Sequence, residues 1–248
     1  GEAYASVGRG FETPTLTETS YRPDGGAGFN TALRPARTDA RELGLRARTA
    51  DGDWSTQLAV YRIDGEDEIV PALSRGGRAS FTNAGQTRRE GVEWGVQGAL
   101  GTQWRVQLAA SWIRARFTAP FTVTTVQGTQ VTVRTVSAGN RIPGIPRADA
   151  FAELEWRARD GRWSSALEVR ALGAIAVDDR NSDAAAGHAR IAWRVRHDDP
   201  AGRWYVFLRV DNVLDRDAAG SVIVNEGNGR FFEPAAPRAL TVGGGWRF

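Results

Sequence analysis

Few residues in this chain could do covalent chemistry. It has two histidines and no cysteine. His188 opens an alternating run just after a stretch holding Asp178, Asp179 and Asp183, and an Asp–His pair could activate water for hydrolysis. A solvated loop beside a lone histidine accounts for the same residues and is the stronger reading. His197 follows nine residues later, roughly 30 Å along an extended strand, so the two imidazoles cannot share a site. Two histidines without a thiol also make a poor structural zinc set. Asp64, Glu66, Asp67 and Glu68 have the density of a calcium cluster, but a solvated strand end explains them better. The abundant chemistry is that of arginine. There is no lysine, so all 32 basic residues are arginines. Arg22, Arg34, Arg37, Arg75, Arg78 and Arg141 lie in or beside long connections. Their planar forks suit the carboxylate, catecholate or phosphate groups of an anionic ligand. No catalytic, cofactor or metal set is expected.

The elements that must hold these arginines read as strands. The chain has 248 residues, enough for one large β domain, with 29 Gly and 9 Trp. A net charge of +3 and a pI near 9.9 come without a clustered basic stripe, which argues against a nucleic-acid partner. No run of 18 apolar residues is present, so no membrane-spanning helix is expected. Mean hydropathy is −0.39. A membrane barrel can look this polar, because half of each strand faces a wet lumen. The chain opens without Met, in the middle of an alternating pattern, and shows no signal peptide. It therefore reads as a fragment or a processed product.

About ten strands are expected, over 2–11, 38–49, 54–70, 79–100, 104–118, 148–158, 163–173, 187–197, 203–213 and 238–248. The connections alternate in length. Tight turns rich in Asp and Gly fall at 50–53, 101–103, 159–162 and 198–202, and long connections at 12–37, 119–147, 174–186 and 214–237, with a shorter one near 71–78. A sandwich has no reason to sort its loops this way, whereas an outer-membrane barrel has short periplasmic turns and long extracellular loops. Along 104–112, Trp104, Val106, Leu108, Ala110 and Trp112 oppose Arg105, Gln107 and Ser111. Tryptophans at 54, 104, 163 and 204 directly follow short turns or nearly so, and those at 156, 193 and 246 precede a turn or the chain end. That places seven at one height, as an interfacial girdle. Trp112 lies eight residues beyond Trp104, roughly 20 Å higher at the usual tilt, which marks an upper girdle.

The last twelve residues, Pro237 to Phe248, alternate with Leu240, Val242, Trp246 and Phe248 on one parity and Thr241, Gly243 and Gly245 on the other. The spacing of Thr241, Gly243, Trp246 and Phe248 resembles the C-terminal assembly signal of outer-membrane barrels, which implies recognition by the barrel-assembly machinery. Other stretches resemble the TonB-dependent receptors, ligand-gated uptake barrels of Gram-negative outer membranes. They run in serial order: Gly10-Phe11-Glu12-Thr13-Pro14, then Leu33-Arg34-Pro35-Ala36-Arg37, then Phe81-Thr82-Asn83-Ala84-Gly85 through Glu90-Gly91-Val92-Glu93. Arg141-Ile142-Pro143-Gly144-Ile145-Pro146-Arg147, Val210-Asp211-Asn212-Val213-Leu214-Asp215-Arg216 and Gly229-Arg230-Phe231-Phe232-Glu233-Pro234 continue the match. The chain departs from the family in lacking a counterpart of the plug and of the TonB-contacting segment. It also has Asp217-Ala218-Ala219 where a tyrosine often follows.

The resemblance implies that residues 1–248 are the C-terminal portion of such a barrel, with the plug domain absent. The implied function is uptake of a scarce metal chelate, an iron–siderophore first of all, energised through TonB acting on the plug. It also implies contact with outer-membrane lipid and lipopolysaccharide. A passive porin or adhesion barrel, a small barrel hydrolase using the Asp–His pair, and a soluble β-sandwich are the competing classes. The expected fold is all-β: an antiparallel up-and-down meander of about ten strands, part of a transmembrane barrel. As a fragment it should form an open curved sheet without a ladder between 2–11 and 238–248. Arg105, Arg170, Arg190, Arg194 and Glu153 suit a wide wet interior better than a packed narrow one.

Overall fold

A computed structural model describes residues 1–75, 78–127 and 129–247, without the side chains of Arg75 and Gln127. Ten strands form one antiparallel sheet: β1 Glu2–Glu12, β2 Ala36–Arg48, β3 Trp54–Glu66, β4 Gln86–Leu100, β5 Trp104–Phe117, β6 Ala148–Arg157, β7 Trp163–Leu172, β8 His188–Asp198, β9 Trp204–Asp211 and β10 Ala239–Trp246. Each pairs with its sequence neighbours, from β1 to β10, with no crossover. Among the described residues β1 pairs only with β2, and β10 only with β9, so the sheet is open as expected. Unpaired edge backbone is costly in lipid.

Alternation sets the two faces. Leu45, Leu58, Trp94, Ala110, Ala150, Ala171 and Ala189 follow one another in register across seven strands, on one face. These residues are not covered by a second layer. Leu43 is 60% exposed and Val242 71%. A sandwich would bury that face against a second sheet, and lipid is the medium that matches it. The opposite face is polar. It encloses a hollow of about 840 Å³ whose lining includes Gln57, Glu93, Gln97, Gln107 and Asp149. Further along this face Glu168 accepts from Arg209 Nη1 at 2.6 Å and Nη2 at 2.9 Å, and Arg194 reaches Glu153 at 3.2 Å. That is the wet interior expected from the arginines.

The short turns gather at one end of the sheet. Gly52, Gly161 and Gly202 each take positive φ there, and each N–H closes the turn on the carbonyl three residues back, at 2.8–3.0 Å. Trp54, Trp104, Trp156, Trp163, Trp204 and Trp246 form the belt at that end, with Trp104 opposite Trp156 and Trp204 opposite Trp246. Trp193 does not join it, contrary to the girdle expected from the sequence. It faces Leu167, four residues above Trp163. Its indole N–H is satisfied inside the wall by Ser165 Oγ at 2.9 Å, which is what makes that depth tolerable.

Two strand boundaries also differ from the sequence pattern. The expected strands 54–70 and 79–100 run too far. Asp67 turns the chain at φ 53° after β3, and a separate hairpin, Ile69–Arg75 with Arg78–Asn83, stands before β4 begins at Gln86. The expected connection near 71–78 therefore falls within a long folded loop, and its residues 76 and 77 lie outside the described residues. Three more hairpins lie inside long connections: Phe121–Gln127 with Gln130–Val136, Ile175–Ala176 with Ala184–Ala185, and Ala219–Val222 with Phe232–Pro234. The first connection carries a one-turn helix, Leu16–Thr19, capped by Thr15 and Glu18. The apolar core lies mainly in and under this layer of loops: Val70, Ala72, Ala84, Phe117, Val123, Val136 and Ile142 pack together.

Candidate functional site: the looped end of the sheet

The long connections meet on a buried polar node. Asp179, 1% exposed, accepts from Arg134 Nη2 at 3.0 Å and Nε at 3.3 Å, and from Asn225 Nδ2 at 3.3 Å. Its own N–H donates to Asn225 Oδ1 at 3.2 Å. Arg134 Nη2 also donates to the Ala72 carbonyl at 2.5 Å, and Asn225 Nδ2 to the Pro71 carbonyl at 2.6 Å. Asn140 Nδ2 binds the Asp179 carbonyl at 2.9 Å. Four loops, those after β3, β5, β7 and β9, are thus tied through three side chains. Asn225 can hold its place because asparagine tolerates the left-handed conformation, here φ 54°. Asp179 Oδ1 is buried without a hydrogen-bond partner. Beside His188, the residues Asp178, Asp179 and Asp183 are candidates for water activation. The fold spends them otherwise: Asp178 holds the Ser182 N–H at 2.9 Å and its hydroxyl, and Asp183 bonds the Ala184 N–H at 2.7 Å. Among the described residues none of these carboxylates bonds the His188 imidazole, whose Nδ1 is buried and unpartnered.

Three of the four carboxylates in that stretch are divided among arginines. Asp64 pairs with Arg62 and Arg88, Asp67 with Arg34, and Glu68 with Arg89. Burial pushes the Glu68 carboxyl up, but hydrogen bonds from Arg89 and the Thr87 hydroxyl more than offset this, leaving it below the ordinary value. The Arg34 hydrogen bond likewise holds Asp67 low. Asn83 clamps the pair, accepting from Arg34 N–H at 2.9 Å and donating to the Asp67 carbonyl at 2.6 Å.

The six rim arginines occupy different surroundings. Arg22 closes on Asp24, two residues away. Arg34 is held by Asp67 at 2.5 Å. Arg141 is structural, donating to the Ala174 carbonyl at 2.8 Å while its backbone N–H takes Asn181 Oδ1 at 2.7 Å. Burial, and then Arg147, lower its pKa. Arg37 lies on the parity of Leu43 and Leu45, so it points outward from the wall. Arg78 stacks over Tyr21, its guanidinium carbon 5.3 Å from the ring centroid, and makes no ion pair among the described residues. The side chain of Arg75 lies outside the described residues. Of the terminal motif, Phe248 also lies outside them. Thr241 faces Arg209 across the ladder, and Trp246 faces Trp204. The Phe207 ring lies over Gly243, where an added Cβ would stand 2.7 Å from it and would push the ring aside.

Residues 2–213 match the model of the family described as TonB dependent receptor-like, beta-barrel. The chain belongs to that family. Solved structures agree in fold. The ferric yersiniabactin uptake receptor FyuA from Yersinia pestis is 22% identical, with a TM-score of 0.70 over 98% of this chain and 34% of that one. The ferric-catecholate import receptor Fiu from E. coli K12 is 18% identical, at 0.70 over 99% and 33%. The copper transporter OprC is 17% identical, at 0.74 over 99% and 37%. The chain spans about a third of the length of these receptors. These neighbours are named as uptake and import receptors and a transporter, and this chain shares the fold of part of each.

Proposed function

We propose that this chain is the C-terminal portion of the wall of a Gram-negative outer-membrane receptor that imports a scarce metal chelate, with an iron–siderophore as cargo. TonB, acting on a plug domain carried elsewhere in the receptor, supplies the energy, and the barrel-assembly machinery inserts the wall. The observation that carries the reading is the sorting of the wall within this family. Long connections stand at one end only, folded into one layer above a polar face, where a chelate would arrive. Arg78 on Tyr21 offers a guanidinium without a carboxylate partner among the described residues, next to an aromatic surface, which suits a carboxylate or catecholate chelate. Neighbours named for ferric yersiniabactin and ferric catecholate point the same way. A copper cargo has less support from this portion, which has no Cys or Met to offer a soft ion.

The test is uptake by cells. A strain relying on the full-length receptor should take up one of a panel of radiolabelled ferric chelates, and lose that uptake when either the receptor or TonB is deleted. Uptake of every chelate unchanged by both deletions would overturn the reading.

A further inference from the structure

Seven asparagines stand in the chain, and six of them are held by the main chain. Asn30, Asn83, Asn140, Asn181, Asn212 and Asn225 each donate Nδ2 to a backbone carbonyl, at 2.6–3.0 Å. Each is followed by a residue that carries a side chain. Asn228 differs on both counts. It precedes Gly229, in the one Asn-Gly step of the sequence. Its Nδ2 reaches only a side chain, Glu226 Oε1 at 3.2 Å. Both Asn228 and Gly229 are exposed. Gly229 sits at φ 73°, and nothing stands within 4 Å of where a Cβ would be. Its N–H meets the Glu226 carbonyl at 3.5 Å, the outer limit of a hydrogen bond. That nitrogen is neither shielded nor firmly engaged.

The turn holding this pair also ties two loops. Glu226 Oε2 accepts from the Asn228 N–H at 2.6 Å and from the Arg230 N–H at 3.1 Å. Ser74, in the hairpin after β3, donates its N–H to the Asn225 carbonyl at 3.1 Å and accepts from the Gly227 N–H at 2.8 Å. The loop after β9 is stitched there to the loop after β3, beside the polar node that contains Asn225.

We propose that Asn228 is a site of spontaneous deamidation, and that its conversion unfastens these two loops. The Gly229 nitrogen loses its proton to solvent base and bonds to Asn228 Cγ. The Cγ–Nδ2 bond breaks, and the amide nitrogen leaves as ammonia with a proton from water. Water opens the resulting cyclic imide at either carbonyl, leaving aspartate or isoaspartate at 228. The net change is water consumed and ammonia released, with no oxidation. The new carboxylate replaces an amide donor that faces Glu226, and the two charges repel. Isoaspartate also lengthens the main chain by a methylene inside the turn. Glu226 then releases the N–H groups of 228 and 230, and the Ser74 stitch loses its support.

Full-length receptor in mild detergent is aged in mildly alkaline buffer and mapped by peptide mass spectrometry, with fragmentation that tells aspartate from isoaspartate. The amide-to-acid mass change should appear at 228 severalfold faster than at any other asparagine. Amide hydrogen exchange of the aged protein should speed up severalfold in 69–75 and 223–230, while the β1–β10 wall stays as in fresh protein. Asn228→Asp should show that acceleration without ageing, and aged Asn228→Gln should match its own fresh form. Conversion at 228 no faster than at the six held asparagines overturns the site. Exchange in 69–75 left unchanged by full conversion, or by a folded Asn228→Asp receptor, overturns the unfastening.

Discussion

Removing the Asp179 carboxylate should loosen four loops at once. Arg134 reaches it in the loop layer with a side chain only 15% exposed, against 2% for Asp179 itself. Breaking such a pair from one side leaves an uncompensated charge, a cost of about 3–5 kcal/mol. Asp179→Ala also strips one acceptor from Asn225 Nδ2, which keeps the Pro71 carbonyl. The lower figure, about 3 kcal/mol, corresponds to roughly a hundredfold rise in the open population at 1.4 kcal/mol per decade. Amide hydrogen exchange on the full-length receptor reads this directly. Exchange should speed up by about that factor in 69–83, 121–136, 175–185 and 219–234, while the β1–β10 wall keeps its protection. Arg134→Ala should act alike, and the double variant should cost clearly less than the sum, because neither charge is then stranded. Single variants whose loop exchange stays within about threefold of wild type would refute the reasoning, as would acceleration in only one loop.

Acidification should act on the same layer through Glu68. Its folded pKa lies below the ordinary 4.5, so the stability it adds is present above that value and is lost as pH falls through the folded pKa. Exchange in 69–83 should therefore rise as the pH drops below 4.5, and Glu68→Gln should flatten that dependence. Deleting Phe248, or replacing Trp246 with Ala, should reduce the amount of folded barrel severalfold without changing cargo affinity per folded receptor; normal heat-modifiable barrel in normal amount counts against an assembly signal. Neutralising Arg22, Arg34, Arg75 and Arg78 together should weaken chelate binding, most of the loss coming from Arg78→Gln, with Tyr21→Ala costing about threefold. Unchanged affinity for every imported chelate would end the ligand role of the rim.

The wall was legible in the sequence because its determinants are local. Alternation fixes which face each residue takes, and Asp-Gly turns fix where strands reverse, so the ten strands fell within a few residues of their places except where 54–70 and 79–100 ran on. Those overruns have one cause. A loop hairpin such as Ile69–Arg75 with Arg78–Asn83 has the same period as a wall strand, and the break at Asp67 rests on a conformation that aspartate adopts without advertising it. Parity also held information that the rim reading did not use. Arg37 shares the face of Leu43 and Leu45, which sends it outward with Arg41 rather than toward a ligand.

The loop layer was not legible because its contacts are long-range. Asn225 bonds a carbonyl 154 residues away, and Asp179 pairs with an arginine 45 residues earlier. No spacing rule connects such residues, and each in isolation looks like a solvated turn. The two halves of the molecule are therefore held by different physics. The wall depends on a repeating pattern and a matching medium, so most single changes that respect parity should be tolerated. The loops depend on a few buried polar side chains and a small apolar core, where one substitution is felt in all of them. If cargo binds among these loops, changes that retune it without loosening the layer must fall on exposed positions such as Tyr21 and Arg78, and leave Arg134, Asp179 and Asn225 alone.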